Sequence, residues 1–194
     1  MRKDEIVRLI WEKKSFLCVG LDVDLDKIPQ RFHKEDDPIF SFNKFIIDET
    51  SAYAVAYKPN LAFYERYGLK GLESLQKTLA YMPNDVFTIA DAKRGDIGNT
   101  SMYYARTFSK EDGGDFGCDA ITVAPYMGED SVRPFIRKGL WAIVLALTSN
   151  KGSDDFQELP LSNDKFLFEQ VVDTVSKWGS SDELMFVVGA TNGE

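Results

Sequence analysis

Residue types suited to proton chemistry gather in the stretch "VFTIADAKRGDIGNTS", residues 86–101, where an apolar run ends in four charged residues within six positions: Asp91, Lys93, Arg94 and Asp96. Such a cluster is either a solvated turn or a charge constellation, and the arrangement of its neighbours decides between them. On a strand, side chains two apart share a face. Asp91 and Lys93 then point the same way as Ile89, while Ala90 and Ala92 point oppositely. Arg94 faces away from Lys93, as a surface or interface charge. Lys58 closes another short apolar run in "AVAYKPN", with Pro59 fixing the turn, and Asp22 closes a third in "VGLDVD". If those runs are adjacent strands, Lys58 stands beside Asp91 and Lys93, forming an alternating row of lysine and aspartate. Each charge in such a row has opposite neighbours, so all members stay ionised. A lysine so held is charged and placed to deliver a proton. Gly95 and Gly98 free the backbone to turn and set Asp96 at the start of a helix, where an acid suits the N-terminus. Thr100 is placed to cap that helix or to contact a ligand.

The elements that must carry these residues follow from periodicity and breakers. Helices are expected over 2–14, 37–53, 68–82, 100–110, 129–138 and 164–178, and strands over 15–22, 54–58, 86–91, 118–125, 140–149 and 183–190. Several strands are continuous apolar runs, as in parallel sheets covered on both faces. The alternation of strand and helix means a parallel α/β sheet. An open doubly wound sheet and a (β/α)8 TIM barrel both fit that order. The glycine fingerprint of a dinucleotide fold is missing after the first strand. Polar residues stand at or just past five strand ends: Asp22, Lys58, Asp91 with Lys93, Thr148 with Ser149, and Thr191 with Asn192. A barrel brings all of these to one mouth, whereas an open sheet spreads them along an edge. The barrel is therefore favoured, represented by about six β/α units in a single domain over 1–194.

The composition bounds the chemistry. The 194 residues are 44% hydrophobic and 28% charged, ordinary for a folded domain, and the net charge of -8 disfavours a nucleic-acid partner. The single histidine, His33, leaves little room for a histidine triad or a zinc site. Cys18 and Cys118 read as buried thiols of a reducing compartment. The sequence shows no signal peptide or membrane span, which fits a cytoplasmic protein. Trp11, Trp141 and Trp178 read as core or packing residues, and the aromatics around Phe40 to Phe45 as the buried face of a helix rather than a stacking platform.

The stretch "DAKRGDIGNT" resembles the signature of the orotidine 5'-phosphate decarboxylase family, Asp-x-Lys-x-x-Asp-[Ile/Val]-x-x-Thr. "FLCVGLDVD", "YKPNLAFYERYG", "TVAPYMGEDSVRPF", "LALTSNKGSDDFQ" and "VVGAT" resemble the family's longer bacterial branch, in register from about residue 16 to 191. The resemblance implies a barrel enzyme that converts orotidine 5'-monophosphate to UMP and CO2 without metal or organic cofactor. It also implies roles. Lys93 is the proton donor to C6 of the pyrimidine, and Asp91 lies against the departing carboxylate. Lys58 bridges to Asp91 and the ribose, and Asp22 takes a ribose hydroxyl. Asp96 and Thr100 reach the partner subunit's site in a homodimer. Ser149, within the 148–150 loop, meets the pyrimidine.

The sequence departs from that family in two places. A Gln-Gly-Gly-type phosphate loop and a later Gly-Arg are missing, and the chain ends "VVGATNGE". Gln157, in the loop after the fifth strand, is not the phosphate-loop glutamine. The domain is thus expected to be incomplete at its C-terminus, with the phosphate grip beyond residue 194 and weak binding of UMP by these residues alone. Two other readings compete. One is a magnesium-dependent phosphosugar decarboxylase or aldolase of the same barrel group, and the other is a non-catalytic barrel fragment acting as a binding module.

Overall fold

The apolar runs become strands in the computed structural model, which describes residues 1–136 and 139–190. The strands are β1 (Leu17–Gly20), β2 (Ala54–Lys58), β3 (Phe87–Arg94), β4 (Ala120–Val123), β5 (Trp141–Leu147) and β6 (Leu184–Val188). They form one sheet in chain order, and every neighbouring pair is parallel. A doubly wound sheet would reverse its order at a switch point. This sheet does not reverse, so it has the winding of a (β/α) barrel, present as six strands among the described residues.

The helices are α1 (Lys3–Lys13), α2 (Pro38–Thr50), α3 (Ala62–Glu65), α4 (Gly68–Tyr81), α5 (Gly98–Phe108), α6 (Glu129–Val132) and α7 (Leu167–Val175). Asp37 caps α2 by accepting from the Phe40 N–H at 3.0 Å, and Pro38 follows at the first helical position. That helix buries Ile39, Asn43 and Ile47, one residue per turn, so its phenylalanines flank the buried stripe rather than form it. The helix expected over 129–138 stops early. Pro134 follows α6 in a 3-10 turn, Arg133–Phe135, and residues 137 and 138 lie outside those described.

Strand alternation divides the core. Ala56, Phe87, Ile89, Ala120, Trp141 and Ile143, joined by Met185 and Val187, pack together on one face, and Ile6 of α1 packs against them. Ala90, Ala92, Ile121, Val123, Ala142 and Val144 belong to the core on the other face, with Ala105, Phe108, Val132 and Val175 from helices or the turns beside them. Two expectations about burial fail. Cys18 is exposed because its strand lies at the sheet edge, whereas Cys118 is buried and its thiol is pushed up to about 12 by that burial. Trp11 is 77% exposed, while Trp141 is 3% exposed in the inner cluster and Trp178 packs partly buried against the helix-side core.

At the N-terminal end of β4, buried Asp119 accepts from Thr88 N–H at 2.9 Å, Thr88 Oγ1 at 2.8 Å and Lys110 Nζ at 2.9 Å. Burial pushes this carboxyl up, but Lys110 and the Thr88 donors outweigh it and hold it below the usual range. This knot ties β3, β4 and the end of α5 together, away from the mouth where the strands end.

Candidate active site

β3 delivers Asp91 to the inner face, two residues beyond Ile89. Its backbone is fixed as well, because Asp91 N–H donates to Pro59 O at 3.0 Å and Leu61 N–H donates to Asp91 O at 3.2 Å. The turn after β2 is thereby bound to the end of β3, which brings Lys58 alongside. Lys58 Nζ donates to Asp91 Oδ2 at 2.8 Å, and Lys93 Nζ donates to Asp91 Oδ1 at 2.7 Å. The expected Lys–Asp–Lys row therefore forms.

Its route differs from simple strand parity. Lys93 has φ 47°, in the left-handed region. The ladder to β4 shifts register, pairing Ala90 with Ile121 and then Arg94 with Val123. The β3 backbone bulges between those pairs, and Lys93 reaches Asp91 from the bulge. Its N–H donates to Thr122 Oγ1 at 2.9 Å. Thr122 Oγ1 also donates to Asp91 Oδ1 at 2.9 Å. Sequence reasoning passed over Thr122. The available signal was a lone polar residue in the buried run "AITV", on the same strand face as inward Ala120.

Asp91 is 7% exposed. Burial pushes its carboxyl up, but the hydrogen bonds from Lys58 and Lys93, with the charge of Lys58, outweigh it and hold Asp91 below the usual carboxylate range. Burial likewise pushes Lys58 down, and the hydrogen bond and charge of Asp91, with the charge of Asp22, reverse that and hold it above the usual lysine value. Half of the Lys93 side chain stays exposed, so its ammonium is open to a bound molecule.

The other expected residues lie outside this hydrogen-bonded row. Asp22 is exposed just past β1, next to Leu21, whose N–H donates to Lys58 O at 3.2 Å. It acts on Lys58 through charge. Asp96 is half-buried, and its Oδ1 accepts from Ile97 N–H at 2.8 Å. Among the described residues no hydrogen bond or ion pair joins Asp96 to Lys58, Asp91 or Lys93. Thr100 is exposed in the first turn of α5, its N–H donating to Ile97 O at 3.2 Å.

Ser149 is exposed after β5, where its backbone packs on Gly189, and a Cβ there would lie 3.1 Å from Ser149 N. Its neighbour Thr148 is fixed by Gln157, whose Oε1 accepts from Thr148 N–H at 2.7 Å. Gln157 thus shapes the loop after β5. Thr191 and Asn192 lie outside the described residues. Arg94, expected as a surface or interface charge, is partly buried. It pairs with Glu65, lies over the Tyr104 ring at 5.5 Å and donates to Ala92 O at 3.2 Å. Among the described residues no three His, Cys, Asp or Glu side chains gather to hold a metal ion.

Comparison with known proteins places the chain in a family. The family model described as "Orotidine 5'-phosphate decarboxylase / HUMPS family" matches residues 15–191. The chain belongs to this family. A relative named orotidine 5'-phosphate decarboxylase, from Phocaeicola vulgatus, is 56% identical over 197 residues, covering 100% of this chain and 71% of the relative. The solved structure of Leishmania donovani OMP decarboxylase is 37% identical with a TM-score of 0.83, covering 96% of this chain and 71% of that one. A putative orotidine 5'-phosphate decarboxylase from Streptomyces avermitilis superposes with a TM-score of 0.86 at 29% identity, covering 98% of this chain and 70% of that one. In this orotidine 5'-phosphate decarboxylase / HUMPS chain, the Lys58–Asp91–Lys93 row lies at the C-terminal ends of the strands, where barrel enzymes do their chemistry.

Proposed function

We propose that this chain decarboxylates orotidine 5'-monophosphate to UMP and CO2 in pyrimidine biosynthesis, with Lys93 as the acid. The observation that carries the lysine mechanism is the buried Asp91 carboxylate held between Lys58 and Lys93, with the Lys93 side chain half exposed. The bond from C6 to the carboxylate carbon breaks, CO2 leaves, and the electron pair remains on C6. The proton on Lys93 Nζ then passes to C6, leaving UMP and a neutral amine that solvent reprotonates. Asp91 faces the departing carboxylate, where like charge disfavours the bound ground state. It also holds Lys58 above the usual lysine value. Lys58 bridges Asp91 and the ribose, Asp22 accepts from a ribose hydroxyl, and Ser149 meets the pyrimidine. Asp96 and Thr100 serve the partner subunit's site in a homodimer. No helix of the described residues is long and apolar enough to cross a membrane, and we place the enzyme in the cytoplasm.

The magnesium-dependent phosphosugar reading is not favoured, because relatives matched along the whole chain bear the decarboxylase name. Conversion of orotidine 5'-monophosphate by the purified protein, with and without a metal chelator, separates the two. Turnover is expected in both arms, and loss of turnover in the chelator arm alone would favour the metal-dependent chemistry. Lys93→Ala is expected to lower kcat by at least about 10²–10⁴-fold, the contribution of a positioned proton donor. Near-normal kcat in that variant would remove Lys93 from its role.

A further inference from the structure

We infer that Thr122 is a positioning residue for the reaction, acting through Lys93 and Asp91. The inference rests on the proposal that Lys93 is the acid. Thr122 is 3% exposed, on the inner face of β4 between buried Ile121 and Val123. Its hydroxyl has one proton to donate, and that proton goes to Asp91 Oδ1 at 2.9 Å. Its lone pairs accept from Lys93 N–H at 2.9 Å. The same oxygen therefore fixes the backbone of the acid and the carboxylate that orients the acid's ammonium.

The register shift between β3 and β4 makes this necessary. In an unbroken parallel ladder the N–H of a residue at this position would bond a strand carbonyl. At φ 47° the Lys93 N–H bonds the threonine side chain instead. A lysine has no intrinsic preference for the left-handed region, so the bond to Thr122 helps to hold it there. Without the hydroxyl, Lys93 N–H and Asp91 Oδ1 each lose a partner in a buried setting. The Lys93 chain would then be free to relax toward the strand, carrying the ammonium away from C6. A displacement of this kind lowers kcat more than substrate binding.

The charged and titratable groups around Asp91 are Lys58 from β2, Lys93 from its own strand, Cys18 from β1 and Asp22 beyond β1. β4 contributes only the neutral Thr122 hydroxyl to Asp91. Loss of that donor makes ionised Asp91 less favourable, so its pKa rises and the acid limb of kcat moves to higher pH.

The test compares Thr122→Val with Thr122→Ser and wild type, using orotidine 5'-monophosphate turnover, UMP binding by calorimetry and kcat against pH. Thr122→Val is expected to lower kcat about 10–100-fold with KM and UMP affinity within about threefold. Its acid limb should move upward, and Thr122→Ser should restore both kcat and the limb. Wild-type kcat and an unmoved limb in Thr122→Val would overturn the inference, and so would equal losses in the valine and serine variants. If the valine variant does not fold, Thr122→Ala against Thr122→Ser gives the same comparison per UMP-binding site. Lys93→Ala, assayed alongside, separates the two claims. If it keeps its kcat, the acid assignment fails; if it is inactive while Thr122→Val is normal, only the role of Thr122 fails.

Discussion

Asp91 accepts three side-chain hydrogen bonds, from Lys58, Lys93 and Thr122, while only 7% exposed. A carboxylate so enclosed survives ionised because two ammonium groups compensate its lost hydration. The sign of the resulting pH dependence follows from the directions of the shifts. Asp91 is held below its ordinary value, so its contribution to stability is present above the unfolded carboxylate pKa and is lost as pH falls through the folded one. Lys58 is held above its ordinary value, so its share is present below the unfolded lysine pKa and is lost as pH rises through the folded one. Between those limits the pair is intact. Asp91→Asn leaves two lysines facing a neutral amide, and a loss of about 3 kcal/mol at neutral pH is expected for breaking a buried pair. The difference from wild type should shrink as pH falls below the ordinary carboxylate value of about 4, where the unfolded chain takes up the proton first, and should vanish as folded Asp91 is protonated lower still. Urea denaturation at pH 7 and at the lowest pH where both proteins fold checks this, and an equal difference at both would mean that charge is not what holds the row.

The elements place this row through a few tight contacts. The Tyr64 hydroxyl of α3 donates to Leu21 O at 2.8 Å and accepts from Asn43 Nδ2 at 2.9 Å, so α2 and α3 brace the chain just past β1. α4 can approach α3 only because position 71 is glycine, since a Cβ there would lie 2.0 Å from Tyr64 O. The obstacle is backbone and cannot swing aside. Gly71→Ala should cost about 1–3 kcal/mol, as overpacking does, and lower Tm by about 5 °C. An unchanged Tm would show that α4 shifts freely. Much of this scaffold was legible in the sequence. Breakers and periodicity gave the strand–helix order, and parity placed Asp91 inward with Lys58 one strand away. The bulge was not legible, because no glycine or proline marks a left-handed residue at Lys93, and it arises only where β3 competes for partners on β4. Thr122 was missed for the same reason. A threonine in an apolar strand reads as a β-former, and its part in the site depends on a register that only the folded sheet sets.

At the scale of the whole molecule, Asp96 lies outside the hydrogen-bonded row that the sequence sets it beside. Its carboxylate meets Ile97 N–H at the entry to α5, and large apolar side chains of the adjoining segments are exposed, Ile97 at 61%, Tyr126 at 90% and Met127 at 42%. Position 95 connects these segments, since a Cβ on Gly95 would lie 3.3 Å from Met127 Cε. We propose this face as the dimer contact, since exposed apolar patches are a common mark of interaction surfaces and a two-fold dimer uses one such patch on both subunits. If Asp96 serves the partner's site there, each complete site needs Lys93 from one chain and Asp96 from the other. Lys93→Ala and Asp96→Ala would then be inactive separately yet complementary when mixed. After unfolding and refolding together in equal amounts, half of the dimers are mixed and each has one intact site, so about a quarter of wild-type kcat per site is expected. No recovery, with mixed dimers confirmed by differential tagging, would place Lys93 and Asp96 in the same site of one chain and remove the shared-site assignment.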